Sequence, residues 1–184
     1  MHKLIRPDRS SWEPITHENS WKGTNKLREY QIEGVNWLAF CWFNHRNCIL
    51  ADEMGLGKTV QSIAFLLEVF NAGVRGPFLI IVPLSTVGNW QREFENWSDM
   101  NAIVYHGSSV SRHMLQDYEM FYRGRCDVFK FHAVITTFEI LMTDIEFFGR
   151  LNWAISIIDE AHRLKNKKCK LGEGLRYLEL LALL

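Results

Sequence analysis

The chain has 184 residues, of which 47% are hydrophobic and 23% are charged. This length is enough for one compact domain with a hydrophobic core but short for two, and the composition excludes disordered and fibrous proteins. Because 21 lysine and arginine residues balance 21 aspartate and glutamate residues, overall charge gives no argument for a nucleic-acid partner. Such a partner would have to be recognised by a local patch.

The cysteine pattern and the hydropathy exclude two further classes of protein. Cys41, Cys48, Cys126 and Cys169 form no Cys-x-x-Cys pair and no cluster with histidine, so we interpret them as reduced thiols of an intracellular protein. Residues 1–7 lack the apolar stretch of a secretory signal, and no window reaches the roughly 18 apolar residues of a membrane span. The sequence therefore predicts a soluble protein with no membrane partner.

Apolar spacing predicts the elements in chain order. Residues 1–24 show no clear period and are interpreted as a linker, whereas residues 25–184 are predicted to form one domain. Strands are predicted at 48–51, 78–82, 102–105, 132–136 and 154–158, and helices at 26–44, 58–72, 85–97, 109–123, 138–149 and from about 169. Continuous apolar strands that alternate with helices predict an α/β fold, with a parallel sheet covered by helices on both faces.

A phosphate-binding loop is predicted between the first strand and the second helix. Gly55 and Gly57 allow the backbone N–H groups to point into one concavity, at the N-terminus of a helix. Lys58 is expected to reach the β- and γ-phosphates, and the Thr59 hydroxyl to bind magnesium. Asp52 departs from the general pattern G-x-x-x-x-G-K-[ST], which has glycine at its position. The alternative is a glycine turn that only caps a helix.

A second acidic site is predicted where the last apolar strand ends, at Asp159 and Glu160. Ligands of parallel sheets bind beyond the carboxyl ends of the strands, where the phosphate loop also lies. Asp159 suits a magnesium partner, and Glu160 suits the orientation and deprotonation of a water molecule. An acidic helix cap is the alternative for this pair alone. Both motifs in this order predict a nucleotide triphosphatase.

With these motifs the chain resembles helicase superfamily 2, and more closely the SWI/SNF-type remodelling ATPases of chromatin, over nearly its whole length. The resemblance implies a RecA-like fold, the first of two motor lobes. Asp52–Thr59 is similar to the form that the phosphate loop takes in these proteins, which accounts for Asp52. Residues 27–37 are similar to their adenine-reading segment, and this implies that Gln31 contacts the base through its amide.

The resemblance also implies contacts with the DNA backbone. Two segments that follow strands are similar to the family's DNA-contacting motifs in this lobe. Their residues are Pro83, Ser85, Thr136 and Thr137. Small hydroxyl groups and backbone N–H groups at helix starts bind phosphates without reading sequence, although Ser85 and Thr137 are also expected to cap helices. Lys165 and Lys167 belong to a basic run that is either a solvated loop or a further phosphate contact.

Among remodellers, the chain most resembles the chromodomain-helicase-DNA-binding family. The resemblance lies in residues 42–50, 76–81, 104–107, 130–139 and 159–166. It implies a nuclear protein that uses ATP and magnesium and acts on double-stranded nucleosomal DNA and histones. The resemblance implies a second RecA-like lobe, which we expect this chain not to include. We also expect the chain alone to be incomplete at its C-terminus and to lack the strand that the family places between the phosphate-loop strand and the Asp159 strand.

The sequence is also compatible with two other functions. One is a nucleotide-binding fragment that catalyses nothing and acts as an interaction module. The other is an unrelated phosphate-loop enzyme such as a small-molecule kinase, which has no need of a water-activating Glu160. The tryptophans are interpreted as core or packing residues rather than platforms for bases: Trp37, Trp42, Trp90, Trp97 and Trp153.

Overall fold

The computed structural model describes residues 6–17, 21–53, 55–123 and 125–161 of the chain. Two short 3-10 helices, Arg9–Ser11 and Lys22–Thr24, precede the main elements, and a third is Leu84–Thr86. The helices are α1 Glu29–Phe43, α2 Lys58–Asn71, α3 Val87–Trp97, α4 Ser109–Met114, α5 Phe138–Thr143 and α6 Ile145–Gly149. The strands are β1 Phe78–Ile81, β2 Ala102–Val104, β3 Phe121–Tyr122, β4 Arg125–Phe129, β5 Ala133–Thr136 and β6 Ile155–Ile158.

Four of the strands form one parallel sheet in the order β2-β5-β1-β6. In its register, Phe78 of β1 lies beside Ala133 of β5 and Ile155 of β6. Helices cover both faces, since alternate strand residues belong to two separate hydrophobic clusters. Phe78 and Ile80 pack with α1, α2 and α3, whereas Leu79 and Ile81 pack with α5 and α6. The predicted parallel α/β sheet is confirmed.

The predicted strand at 48–51 is wrong for this structure. These residues are extended but pair with no strand of the described chain, and Ile49 is 69% exposed. A strand is defined by its ladder, so an apolar run without a neighbour remains an irregular segment. The path of the chain from α1 into this segment is nevertheless fixed, because α1 ends in a cap with two backbone hydrogen bonds. The Arg46 N–H donates to the Cys41 carbonyl at 2.9 Å, and His45 takes the left-handed conformation at φ 56°.

The predicted helix at 109–123 is correct only in its first part. An α-helical start is followed by a π-helix, Leu115–Met120, and then by the antiparallel hairpin of β3 and β4, in which Phe121 pairs with Phe129. Aromatic contacts such as Phe121 with Phe129, whose ring centroids are 5.7 Å apart, stabilise the hairpin. The predicted helix at 138–149 is split into α5 and α6 at Asp144. The helix predicted from about 169 lies outside the described residues.

Asp144 is at the centre of a polar cluster that we name the arginine cluster, formed by Tyr105, Arg112, Gln116 and Asp144. Arg112 binds the carboxylate through two nitrogens, at 2.7 and 3.1 Å, and Tyr105 donates to it at 2.7 Å. Burial alone would raise the pKa of Asp144, but the bonds from Arg112 and Tyr105 lower it below its usual value. Burial, followed by the bond to Asp144, raises the pKa of Tyr105 to about 12. The cluster ties β2, α4 and the α5–α6 junction together.

The segment before α1 packs on the body of the domain. Ile15 and Trp21 are buried, and the Asn36 side chain both accepts from and donates to the Ile15 backbone, at 2.8 and 3.0 Å. Cys41 and Cys48 are free thiols, as predicted, and burial raises the pKa of Cys48 to about 12. Within the described ranges, no helix is long and apolar enough to cross a membrane.

Candidate active site

The carboxyl ends of three neighbouring strands bring the predicted functional segments to one edge of the sheet. Ile81, Thr136 and Ile158 lie side by side in the register. The ladder continues one residue further, since Val82 donates to the Thr136 carbonyl and Asp159 to the Ile81 carbonyl, both at 2.9 Å. Loops that leave this edge are the usual place for ligands of a parallel sheet.

The phosphate loop adopts a conformation that depends on its glycines. Gly55 and Gly57 have φ values of 89° and 77°, which lie in the left-handed region that residues with a Cβ rarely adopt. Gly57 is the N-cap of α2 and provides no side chain to cap the helix. The N–H groups of the first turn and the positive end of the helix dipole therefore face the loop, as anion binding requires.

The Lys58 side chain folds back onto its own loop. Its Nζ atom donates to the carbonyl oxygens of Asp52 and Glu53, at 2.6 and 2.9 Å. Both partners are neutral carbonyls, so the ammonium charge is not neutralised by these contacts. An incoming phosphate would be a stronger acceptor for this group.

A cleft of about 290 Å³ lies between α2 and the end of β6. Lys58, Asp159 and Glu160 all line this cleft. The structure thus brings together the predicted lysine and the two predicted carboxylates, although 101 positions separate Lys58 from Asp159 in the sequence (159 − 58). Half-buried charges of both signs around a cleft of nearly ligand size are typical of a catalytic pocket.

The two carboxylates at the end of β6 are held differently. One Asp159 oxygen accepts from the Trp90 indole N–H at 3.0 Å, and the other from the Glu160 N–H at 3.0 Å. Glu160 has a φ of 56°, which is rare for a residue that is not glycine. Backbone conformations of this kind cluster at functional sites, where the surrounding structure enforces them.

Two buried glutamines hold the phosphate loop. The Gln31 Nε2 donates to the Leu56 carbonyl at 3.2 Å, and its Oε1 accepts from the Arg28 N–H at 2.9 Å. The Gln61 Nε2 donates to the Asp52 carboxylate at 3.1 Å and lies 3.4 Å from the Leu56 carbonyl. We name Gln31, Asp52 and Gln61 the glutamine cluster. Gln31 is only 9% exposed. Its predicted contact with adenine would have to use the second N–H of its amide nitrogen and the second lone pair of its amide oxygen, which the two bonds above leave unused.

Magnesium suits the oxygen donors of Asp159, which lines the cleft, and of Thr59, which is next to Lys58 in α2. The described residues contain no group of three or more histidine, cysteine or acidic side chains that could enclose a metal ion. Magnesium, however, is commonly bound through one or two protein oxygens together with substrate phosphates and water. The Asp159 carboxylate, fixed at both oxygens, and the half-buried Thr59 hydroxyl on the first turn of α2 provide such oxygens.

The predicted DNA-contacting residues differ in exposure. Pro83 is half-buried and Ser85 is exposed. The predicted cap role of Ser85 is wrong, because the N-cap of α3 is Thr86, whose hydroxyl donates to the Pro83 carbonyl at 3.0 Å. Thr136 is fully buried and donates to the Tyr105 carbonyl at 2.9 Å. Thr137 is 1% exposed and caps α5, as one of its two predicted roles requires. Lys165 and Lys167 lie outside the described residues.

Sequence reasoning missed two residues of this site, Trp90 and Gln61. Trp90 is 2% exposed, in agreement with the packing role that the sequence predicts, but its N–H group also fixes Asp159. Gln61 lies three residues beyond Lys58 in α2, where a fully buried polar side chain is unusual. A polar residue on the apolar face of a predicted helix is the only sign of its role in the sequence.

The family model and the similar proteins that the chain matches point to the same family. A family model described as the SNF2-related domain matches residues 30–181. The chain is 58% identical over 180 residues to chromodomain-helicase-DNA-binding protein 6 of Homo sapiens. It is also 55% identical to human chromodomain-helicase-DNA-binding proteins 8 and 9, over 185 and 183 residues respectively. These alignments cover 95%, 98% and 97% of this chain but only 7%, 7% and 6% of the respective relatives.

A solved structure has the same fold. The Sulfolobus solfataricus SWI2/SNF2 ATPase core in complex with double-stranded DNA superposes with a TM-score of 0.77 at 26% sequence identity. The match covers 94% of this chain and 33% of that one. The RecA-like parallel sheet expected from the sequence is therefore confirmed.

Proposed function

Because the chain belongs to the SNF2-related domain family, we propose that it is the ATP-binding lobe of a chromatin remodeller that hydrolyses ATP while it translocates on double-stranded DNA. The observation that carries this proposal is the cleft that Lys58, Asp159 and Glu160 line together. A phosphate-binding helix start opposite two carboxylates is the arrangement that triphosphate hydrolysis needs.

In this proposal, the triphosphate binds at the N-terminus of α2. The N–H groups beside Gly55 and Gly57 hold the phosphates, and Lys58 exchanges its two loop carbonyls for phosphate oxygens. Gln31 contacts the adenine edge while its Nε2 stays on the Leu56 carbonyl. The Gln31 side chain would then contact both the adenine base and the phosphate loop.

Glu160 is the proposed base for the attacking water. It lines the cleft with Asp159, and a carboxylate in such a cleft can accept a proton from a water molecule held beside the bound phosphate. Thr59 and Asp159 would hold magnesium, which when bound supplies positive charge against the phosphate oxygens. The Trp90 N–H keeps the Asp159 carboxylate in one orientation for this role.

DNA is proposed to bind at the carboxyl edge of the sheet through its backbone. Support comes from the exposed Ser85 and the helix start that follows it, and from the solved neighbour, which is in complex with double-stranded DNA. The buried Thr136 and the capping Thr137 shape this edge. We further propose a nuclear location with histones as partners, because the relatives are chromodomain-helicase-DNA-binding proteins.

Turnover is proposed to require a second lobe. In phosphoryl transfer, an arginine supplied from outside the phosphate-binding lobe is worth roughly 10³–10⁵ in rate. The chain spans 33% of the solved ATPase core that it matches. The competing function, an interaction module without catalysis, predicts no gain in turnover when that lobe is present.

ATP affinity of a Lys58→Ala variant tests the proposal. In a protein that carries this chain together with the second lobe, we expect ATP binding to weaken by about 2–3 kcal/mol, or roughly 30- to 150-fold. Isothermal titration measures it, and Lys26→Ala serves as the control because Lys26 is exposed and does not line the cleft. Equal affinities of the wild type and Lys58→Ala would refute the assignment.

A salt series tests the DNA proposal. Contacts made through phosphates should be independent of sequence and should weaken steeply as salt is raised, because counterions are released on binding. Two unrelated duplexes of equal length, compared by fluorescence anisotropy across the series, should give parallel lines. A large preference for one duplex at equal salt would contradict backbone binding.

A further inference from the structure

Gln61 is a fully buried polar side chain on α2, directly behind the phosphate loop. Its Nε2 faces two acceptors of the loop, the Asp52 carboxylate at 3.1 Å and the Leu56 carbonyl at 3.4 Å. Only the nitrogen of a carboxamide donates, so this orientation is fixed by chemistry. The Oε1 therefore points the other way, and within the described part of the chain it has no hydrogen-bond partner.

Gly34 on α1 provides the space that Oε1 occupies. A Cβ at position 34 would lie 1.9 Å from the Gln61 Oε1, far inside any allowed contact. Gly34 lies within a regular helix and has no left-handed φ that would require glycine. Glycine inside a helix is unfavourable relative to alanine, so α1 itself gives no reason for it. The reason lies in the side chain that crosses from α2.

Gln31 holds the same loop from the other helix. Its Nε2 reaches the Leu56 carbonyl at 3.2 Å, so this carbonyl faces amide donors from both α1 and α2. A Cβ at position 57 would lie 2.5 Å from the same Nε2. Two glutamines thus hold the loop, and at positions 34 and 57 a Cβ would push the amide end of one of them out of its present place.

We infer that Gln61 is a positioning residue that fixes the phosphate loop through Asp52 before the nucleotide arrives, and that Gly34 is the space it requires. This inference rests on the proposed function. It also explains the presence of Asp52, because this loop has a carboxylate anchored from α2 where the general loop pattern has glycine. A loop already held in its binding conformation loses less entropy when the ligand binds.

The test compares ATP affinity among variants in the protein that carries this chain and the second lobe. Gln61→Glu places a carboxylate against the Asp52 carboxylate and the Leu56 carbonyl, and we expect the Kd for ATP to rise roughly tenfold or more. Adding Asp52→Asn supplies a donor for the new carboxylate, so the double variant should recover most of the lost affinity. Gln91→Ala is the control, since Gln91 is exposed on α3.

A second pair of variants tests the role of Gly34. Gly34→Ala should also raise the Kd, because the new methyl group displaces the Gln61 side chain. Adding Gln61→Ala should cause no further loss, since the two changes act on one contact. Asn71→Ala is the control, because Asn71 is exposed at the C-terminal end of α2, away from the cleft. Circular dichroism verifies that each variant is folded at the temperature of the titration.

The outcomes separate this inference from the proposed function. Loss of affinity in Gln61→Glu with recovery in the double variant supports it. Wild-type affinity in Gln61→Glu and Gly34→Ala, with lost binding in Lys58→Ala, overturns the inference and leaves the proposed function intact. Equal losses in Gln61→Glu and in the double variant Gln61→Glu/Asp52→Asn would mean that the bond to Asp52 does not position the loop, which also overturns the inference. Unchanged binding in Lys58→Ala refutes both.

Discussion

The arginine cluster and the glutamine cluster are both buried and polar, but they differ in how completely they are satisfied. In the arginine cluster, both Asp144 oxygens accept hydrogen bonds, and the Tyr105 hydroxyl donates to Asp144 and accepts from Gln116 at 2.6 Å. In the glutamine cluster, the Gln61 Oε1 is without a hydrogen-bond partner in the described structure. Beside it, the Lys58 ammonium donates to two carbonyl groups, those of Asp52 and Glu53.

The difference reflects what each cluster does. A fully satisfied network has nothing left to offer a ligand, and its contribution is to fix one arrangement of β2, α4 and the α5–α6 junction. A cluster with a hydrogen-bond acceptor left over can still take up a further donor, such as a water molecule or a ligand. Disrupting the first should therefore affect stability, and disrupting the second should affect binding and turnover.

The largest expected effect is on the arginine cluster. Asp144→Ala removes the carboxylate and leaves Arg112 buried without its partner, which should destabilise the fold by about 3–5 kcal/mol. Thermal unfolding and amide exchange of residues 105–150 measure it. Asp99→Ala is the control: it breaks an ion pair whose side chains are 43% and 88% exposed, and it should change stability by no more than about 1 kcal/mol. Equal effects of the two changes would contradict the comparison.

The same cluster predicts a pH dependence. Because the pKa of Asp144 is lowered in the fold, the stability from its ionised form is present above its ordinary value of 3.8 and is lost as the pH falls through the lowered value. The wild type should therefore exceed Asp144→Asn in stability at neutral pH, and the gap should narrow in acid. A gap that widens as the pH falls would mean that the carboxylate is not stabilised by Arg112.

The next largest effect is expected at Glu160. Glu160→Gln keeps the shape of the side chain but cannot take a proton from water, so turnover should fall by a factor on the order of 10² or more while ATP binding stays nearly intact. Steady-state ATPase assays and nucleotide titration in the two-lobed protein measure the two quantities. Glu119→Gln, at an exposed position, is the control. Weakened binding with unchanged turnover would exclude Glu160 as the base.

The smallest effect is expected at Trp90. Trp90→Phe keeps an aromatic ring but removes the N–H group from Asp159, and we expect about tenfold more magnesium to be needed for half-maximal ATP binding. Trp153→Phe is a matched control, because it removes a similar buried bond, 2.9 Å long, to the Phe148 carbonyl. If both variants show the wild-type magnesium dependence, the indole has only a packing role.

The sequence predicted what depends on local pattern. Four apolar runs became the strands β1, β2, β5 and β6, and Gly55 to Thr59 formed the expected loop and helix start. The prediction of a strand at 48–51 was wrong because a strand also needs a neighbouring strand to pair with, and a local sequence pattern does not show whether one is present. The β3–β4 hairpin was missed because its aromatic residues have a spacing that a helix could also use.

Long-range polar contacts could not be predicted. Trp90 and Asp159 are 69 residues apart in the chain, and Arg112 and Asp144 are 32 apart. Their meeting depends on how α3, α4 and the sheet pack, and single-sequence periodicity contains no information about that. Gln61 was hidden for the same reason, since its role depends on a glycine in another helix.

The Trp90 bond has a mechanical consequence. Helix α3 begins directly after the Leu84–Thr86 turn at the proposed DNA edge, and one turn later its indole is joined to the carboxylate at the end of β6. A hydrogen bond of 3.0 Å weakens as its two heavy atoms separate. Any displacement of α3 must therefore move Asp159 with it or break the bond, so this bond links the proposed DNA edge to the proposed nucleotide cleft.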